Sequence, residues 1–357
     1  MGRTDSRPNL VGMTRQELEA LVEGWGEARF RGRQLYHHLY RRKNFDLEAM
    51  TDLSRDFRRR LADACRIELP SVLREDVAAD GTTKYLLGLE DGRKIETVYI
   101  PEEGRDTLCI SSQVGCAVGC TFCMTARMGF QRNLTPGEIV GQVLQVMRQG
   151  KLPQRGFNIV FMGMGEPLYN YKNVMKAFRL LIDPEGMDLS YRKITVSTSG
   201  VVPVLERLAG EDPVPNLAIS LNAVADEVRD RIMPINRKWS METLLDTLRR
   251  FPLEPRRRIT IEYVLLAGEN DRPADARRLV QLLRGLRVKV NLIPYNENPG
   301  LGHCSPGEES VLRFQEILRE SGVAAFIRRR RGADIGAACG QLAVREALKL
   351  KAGSRHG

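Results

Sequence analysis

Six short segments rich in aliphatic and β-branched residues recur along the second part of the chain, with helical stretches between them. They are TLCISSQ from Thr107, FNIVFM from Phe157, KITVST from Lys193, NLAISL from Asn216, RITIEYVLL from Arg258 and VKVNLI from Val288. Near-continuous apolar runs of this length read as strands buried on both faces, and strands that alternate with helices predict parallel βα units. An open twisted sheet and a barrel both satisfy that alternation. Either one puts its functional site at the carboxyl ends of the strands. One intervening helix is well marked. Thr135-Pro136-Gly137-Glu138 combines a capping box with proline at the first helical position, Val140, Val143, Leu144 and Met147 form one stripe, and Gly150 ends it.

The chain ahead of the first of these segments has a different texture. Residues 13–66 are amphipathic and rich in Leu, Arg and Glu; they predict helices, the first capped by Thr14 with Glu17, and Pro70 closes the region. From Leu73 to Ile100 short alternating segments are broken by Asp91-Gly92, a hairpin signal. No internal repeat or low-complexity tract interrupts the 357 residues, which suffice for two or three domains.

Four of the seven cysteines fall within CISSQVGCAVGCTFC, positions 109 to 123. Cys116, Cys120 and Cys123 form C-x3-C-x2-C in a loop directly after the first strand. A polar amino terminus without a signal-like apolar core, and no apolar run near the ~20 residues that span a bilayer, predict a cytoplasmic protein with no membrane partner. In that compartment thiols stay reduced, and clustered ones more often hold metal or do chemistry than form disulfides. A closed zinc site needs a fourth ligand, and all four histidines are remote in sequence. Three thiolates with one open position suit a [4Fe–4S] cluster whose unique iron takes a substrate or cofactor.

The net charge is +10, and arginines come in clumps at 41–43 (with Lys43), 58–60, 256–258 and 328–331. Together they point to a polyanionic partner, most simply nucleic acid.

With the triplet and strands in view, the sequence resembles the radical S-adenosylmethionine (SAM) superfamily. Further motifs stand at later strand ends: GMGEP from Gly163, STSG from Ser197, SLN from Ser220 and PYN from Pro294. Within that superfamily the resemblance narrows to the RlmN/Cfr adenosine methyltransferases, on the RlmN side. It spans nearly the whole chain through IETVYIPE, CISSQVGC, GCTFCMT, GMGEPL, SLNA and AACGQL. The resemblance implies an α/β fold, a radical SAM (βα)6 partial barrel with an N-terminal helical accessory domain. It divides the chain into an RNA-binding helical domain at 1–72, a β-hairpin linker at 73–101, the core at 102–335 and a C-terminal extension at 336–357.

The resemblance also implies an activity: methylation of C2 of an adenosine in 23S rRNA, and of the adenosine 3′ of the anticodon in some tRNAs. The cofactors are a [4Fe–4S] cluster on Cys116, Cys120 and Cys123 and two SAM molecules per turnover, with an electron donor such as flavodoxin as a further partner. Cys339 would carry a methyl group, Cys109 would resolve a protein–RNA adduct by forming a disulfide with it, and the C2 proton would go to Glu96 or, in part, to Cys109. Gly165 and Glu166 would lie near the SAM amino group; Ser197, Ser220, Leu221, Asn222 and Asn296 would meet its ribose, carboxylate or adenine. Arg328 to Arg331 would hold phosphate near Cys339. On residue type alone, Cys339 reads as a small buried hydrophobe, Glu96 as an outward strand carboxylate, and Cys65 and Cys304 as structural. Three other readings compete: a C8 methyltransferase of the Cfr type, a radical SAM activase acting on a protein glycine, and a zinc-stabilised RNA-binding protein.

Overall fold

The computed structural model describes residues 5–153, 156–298 and 300–344. The rest of the expected C-terminal extension, 345–357, lies outside the described residues. Helices α1 (Arg15–Glu23), α2 (Phe30–Tyr36) and α3 (Arg55–Ala64) form the N-terminal unit around Leu18, Val22, Leu35, Phe57 and Leu61. The capping box is in place: the Thr14 hydroxyl accepts from the Glu17 amide and the Glu17 carboxylate accepts from the Thr14 amide. This unit sits on the barrel by backbone contact. A Cβ on Gly137, in the first turn of α5 (Pro136–Arg148), would lie 2.3 Å from the Val11 carbonyl, so glycine is what lets the two main chains meet. Lys176 to Glu17 at 2.6 Å and the Tyr36 hydroxyl to Asp183 at 2.8 Å add to the seam.

Strands β1 (Ser71–Val77), β2 (Thr83–Gly88), β3 (Lys94–Ile100) and β4 (Thr107–Cys109) form an antiparallel meander. The hairpin expected over 73–101 is there, with Asp91-Gly92 at its turn. A further strand precedes it, and Val98 pairs with Cys109, so the meander and the parallel strands share one sheet. The small ribbon of β5 (Gln113–Val114) and β6 (Arg132–Asn133) closes the neck of the cysteine loop, and α4 (Met124–Met128) starts directly after Cys123. From β4 the sheet runs parallel through β7 (Asn158–Phe161), β8 (Ile194–Thr198), β9 (Asn216–Ser220), β10 (Ile259–Leu265), β11 (Val288–Pro294) and β12 (Ala325–Ile327). Helices α5, α6 (Tyr171–Ile182), α7 (Val202–Leu208), α8 (Asp226–Ile232), α9 (Met241–Arg250), α10 (Pro273–Leu282) and α11 (Glu308–Glu320) make the crossovers.

All six expected strands are present, and β12 adds a seventh parallel one. The ten-stranded sheet stays open, with β1 and β12 at its edges, as a partial barrel requires. One face is apolar and carries the helices: Thr97 bonds Gln142 of α5 at 2.7 Å, and Tyr263 stacks on Phe314 of α11. Strand alternation turns Glu96, Cys109, Glu262 and Asn291 to the other, concave face. Among the described residues no helix is long and apolar enough to cross a membrane.

Candidate active site

The carboxyl ends of the strands are bolted to one another before any ligand is considered. Glu166, in the loop after β7, is buried; its carboxylate accepts from the Ser199 amide (2.8 Å), the Ser199 hydroxyl (2.7 Å) and the Leu168 amide (3.0 Å). Its own amide donates to the Gln113 side chain at 2.8 Å. Gly165 beside it has φ +100°, and a Cβ there would fall 2.5 Å from that of Gln113. The Glu166 carboxylate therefore joins two strand-end loops.

A second tie was not legible in the sequence. Arg229, on α8, is buried, and its guanidinium donates to the carbonyls of Ser199 (2.7 Å), Ser220 (3.1 Å) and Leu221 (2.9 Å) and to the Asn236 side chain (2.9 Å). Burial lowers its pKa to about 10, which leaves it cationic at neutral pH, near Cys120. Asn222 takes φ 59° and commits its side-chain oxygen to the Val264 amide at 2.8 Å. Leu221 is fully buried and offers only backbone, while Ser197, next to last in β8, and Ser220, last in β9, are half-buried on the concave face. Asn296 differs from these. Its amide nitrogen donates to the Cys339 carbonyl at 3.3 Å, but its buried Oδ1 has no partner, an acceptor left open at the strand ends.

Cys116, Cys120 and Cys123 line the loop between β5 and α4. Burial pushes the Cys116 thiol up to about 12 and raises the other two, and each stands close enough to a neighbour to be raised further by its charge. Such a group of sulfurs is stable as thiolates only with a cation among them. Among the described residues no three His, Cys, Asp or Glu side chains converge closely enough for a single metal ion. A polynuclear cluster, which gives each thiolate its own iron, fits this donor set better. His303, remote in sequence, does reach the loop: its Nε2 is 2.8 Å from the Thr121 hydroxyl. Its Nδ1 is held by Glu269 at 2.5 Å, so it is already committed.

The two isolated cysteines, one at the end of β4 and one in the segment after β12, lie near enough to feel each other's charge. Cys109 is 7% exposed, and burial raises its thiol to about 12, with the nearby Cys339 adding to the rise and Arg328 opposing it. The cationic form of Arg328 is favoured first by Cys339 and then by Glu262 and Cys109, and both thiols are free. Glu96 is not an outward strand carboxylate: it is 2% exposed, 3.4 Å from Lys84, and accepts the Ala343 amide at 2.9 Å. Burial raises its pKa and Lys84 opposes the rise. The rest of the 328–331 run is largely engaged within the chain. Arg330 donates to the Tyr295 carbonyl and Ser305, and Arg331 stands 3.7 Å from Asp80. Cys65 is buried and Cys304 exposed, both outside the site.

Known proteins match this architecture along its length. Residues 110–280 match the model of the radical SAM superfamily, and residues 8–67 that of the ribosomal RNA large subunit methyltransferase N-terminal domain. The dual-specificity RNA methyltransferase RlmN of Anaeromyxobacter dehalogenans is 51% identical over 95% of this chain and 93% of its own. That of Syntrophobacter fumaroxidans is 52% identical over 92% of this chain and 96% of its own. The crystal structure of a radical SAM methyltransferase from Sphaerobacter thermophilus superposes with a TM-score of 0.90 at 45% identity, covering 94% of this chain and 99% of that one. The open parallel barrel with a helical unit in front thus has full-length counterparts, and the chain belongs to the RlmN family of the radical SAM superfamily.

Proposed function

We propose that this chain methylates C2 of an adenosine in 23S rRNA, and of the adenosine 3′ of the anticodon in some tRNAs, in the cytoplasm and with an electron donor such as flavodoxin. The observation that carries the reading is that Cys109, at the end of β4 on the concave face, and Cys339, whose carbonyl is bonded by Asn296 at the strand ends, stand near enough to feel each other's charge and that of Arg328. Adenine C2 is too electron-poor to take a methyl cation directly, so a carbon delivered from a protein sulfur is the accessible route. Bound at the strand ends, the [4Fe–4S] cluster and two SAM molecules per turnover supply a methyl group and a hydrogen-abstracting radical. Cys116, Cys120 and Cys123 hold the cluster. Backbone groups of Gly165, Glu166, Ser197, Ser220, Leu221 and Asn222, with the Asn296 side chain, hold SAM.

Within the chain, Cys339 takes the methyl on sulfur and presents its carbon to C2. Glu96 receives the C2 proton. Cys109 gives up its proton and its sulfur attacks the Cys339 sulfur, so that an S–S bond replaces the S–C bond, and the released carbon keeps the electron pair and takes a proton to complete the methyl group. Low exposure at Cys109 and Glu96 keeps water from both steps.

Anaerobic turnover with methyl-labelled SAM tests this directly. Cys109→Ala should leave RNA cross-linked to Cys339, visible as a nuclease-sensitive, slow-migrating band, and Cys339→Ala should give neither band nor product. Normal product from either variant would sink the covalent route, and nucleoside mass analysis of the wild-type product separates C2 from C8 methylation.

A further inference from the structure

Segment 335–343 has Cys339 at its midpoint and is held from two sides. On the barrel side the Met124 amide donates to the Gly340 carbonyl (2.8 Å) and the Thr125 hydroxyl to the Leu342 carbonyl (2.6 Å). On the meander side one ion pair holds both flanks. Lys84 donates to the carbonyls of Ile335 (2.6 Å) and Gly336 (3.3 Å) and stands 3.4 Å from Glu96, whose other oxygen accepts the Ala343 amide at 2.9 Å. The grip thus closes three to four positions before Cys339 and four after it.

Strand register explains why these two side chains meet. Lys84 pairs with Val98 and Leu86 with Glu96, so they are diagonal neighbours on one face of β2 and β3. Their side chains are 7% and 2% exposed. A buried ion pair is no better for stability than a well-packed apolar pair of the same volume, and often worse. What an apolar pair lacks is the means to bind the three backbone groups of the Cys339 segment.

We infer that Lys84 is a positioning residue for the methyl-carrying thiol, and that arrival of the C2 proton on Glu96 releases the segment. The inference deepens the function proposed above and rests on its roles for Cys339 and Glu96. Each oxygen of Glu96 already has a donor, Lys84 on one and Ala343 on the other. When Glu96 takes the proton from C2 it becomes neutral, and the attraction that holds Lys84 against it is lost. Lys84 then no longer joins the two flanks, and Cys339 gains freedom at the stage when its sulfur must turn to Cys109. Before that stage the grip keeps the thiol aligned.

Hydrogen–deuterium exchange on the anaerobic holoenzyme, with steady-state turnover on RNA fragments, tests the inference. Lys84→Met should speed exchange in the 335–344 peptide about tenfold and leave the 116–128 peptide unchanged. It should lower kcat about a hundredfold, the scale of an ångström-sized misplacement, with KM for RNA within about twofold. Lys84→Arg should recover most of the protection and part of the rate. Glu96→Gln, which mimics the neutral acid, should loosen the same peptide without RNA. If Lys84→Met does not fold, Lys84→Gln is judged by the same criteria. Wild-type exchange in the Lys84 variant, with or without slower turnover, would overturn the positioning role while an inactive Cys339→Ala left the main reading intact. Product from Cys339→Ala would overturn both.

Discussion

Arg229 shows how much of this site is organised by a residue that touches no reacting atom. Its planar fork reaches three carbonyls on the loops after β8 and β9, so these loops share one cation. Removing it as Arg229→Met leaves those acceptors buried without donors, at about 1–3 kcal/mol each. We expect a loss of about 3–5 kcal/mol in denaturant titration, in the range for breaking a buried charged network. SAM affinity should fall with it. Arg229→Lys should recover only part of either, because an ammonium group cannot span the same acceptors. A Lys variant with wild-type stability and SAM affinity would show that charge alone matters there. No local signal marks such a residue: within ADEVRDRI, Arg229 stands among Asp and Glu and reads as one more exposed helix cation.

At the scale of elements, the turn between β2 and β3 is fastened to helix α5 through charge. Arg132 of β6 makes a two-pronged contact with Glu138 at 2.8 Å on each oxygen and reaches Asp91 at 2.5 Å. Burial disfavours the Asp91 carboxylate, but hydrogen bonds from Arg132 and from the Arg93 amide outweigh it and hold the pKa at about 2. The unfolded value is about 3.9, so this link stabilises the fold fully above pH about 4 and is lost as pH falls towards 2. Asp91→Asn should flatten the stability curve across that window in urea titrations; an unchanged acid limb would assign the loss to other carboxylates. The hairpin, the caps at Thr14 and Thr135 and the six parallel strands were all legible in the sequence, because turn chemistry and apolar runs are local signals. Strand β12 was not. Ala325–Ile327 is three residues long and runs straight into four arginines, so its strand character depends on pairing with β11. The same holds for Lys84 and Glu96, whose burial is set by a segment some 250 positions away. The three clustered thiols stood out by their spacing, Cys109 and Cys339 only through the family resemblance, and the supporting network not at all.

Across the whole molecule, the basic clumps are less idle than their sequence implies. Arg41 meets Asp188, Arg42 meets Asp52, Arg58 meets Glu48 and Arg257 meets Glu254. The arginines of the first two pairs are exposed, and such pairs are worth at most about 1 kcal/mol, so phosphates can displace their carboxylates. With five phosphates neutralised, the affinity for single-stranded RNA should fall with salt at a log–log slope of roughly −3.5. Titration by fluorescence anisotropy measures it, and a flat response would confine RNA contact to uncharged groups. The reach of the seam along the chain has another consequence, in time. The partner carbonyl of Lys84 is made 251 positions later. At about 5–20 residues per second, roughly 13–50 s of synthesis separate the two. For most of that interval the three clustered thiols are already made while the flank that the Cys339 segment later closes stands open, so iron and sulfide can reach them before the seam forms.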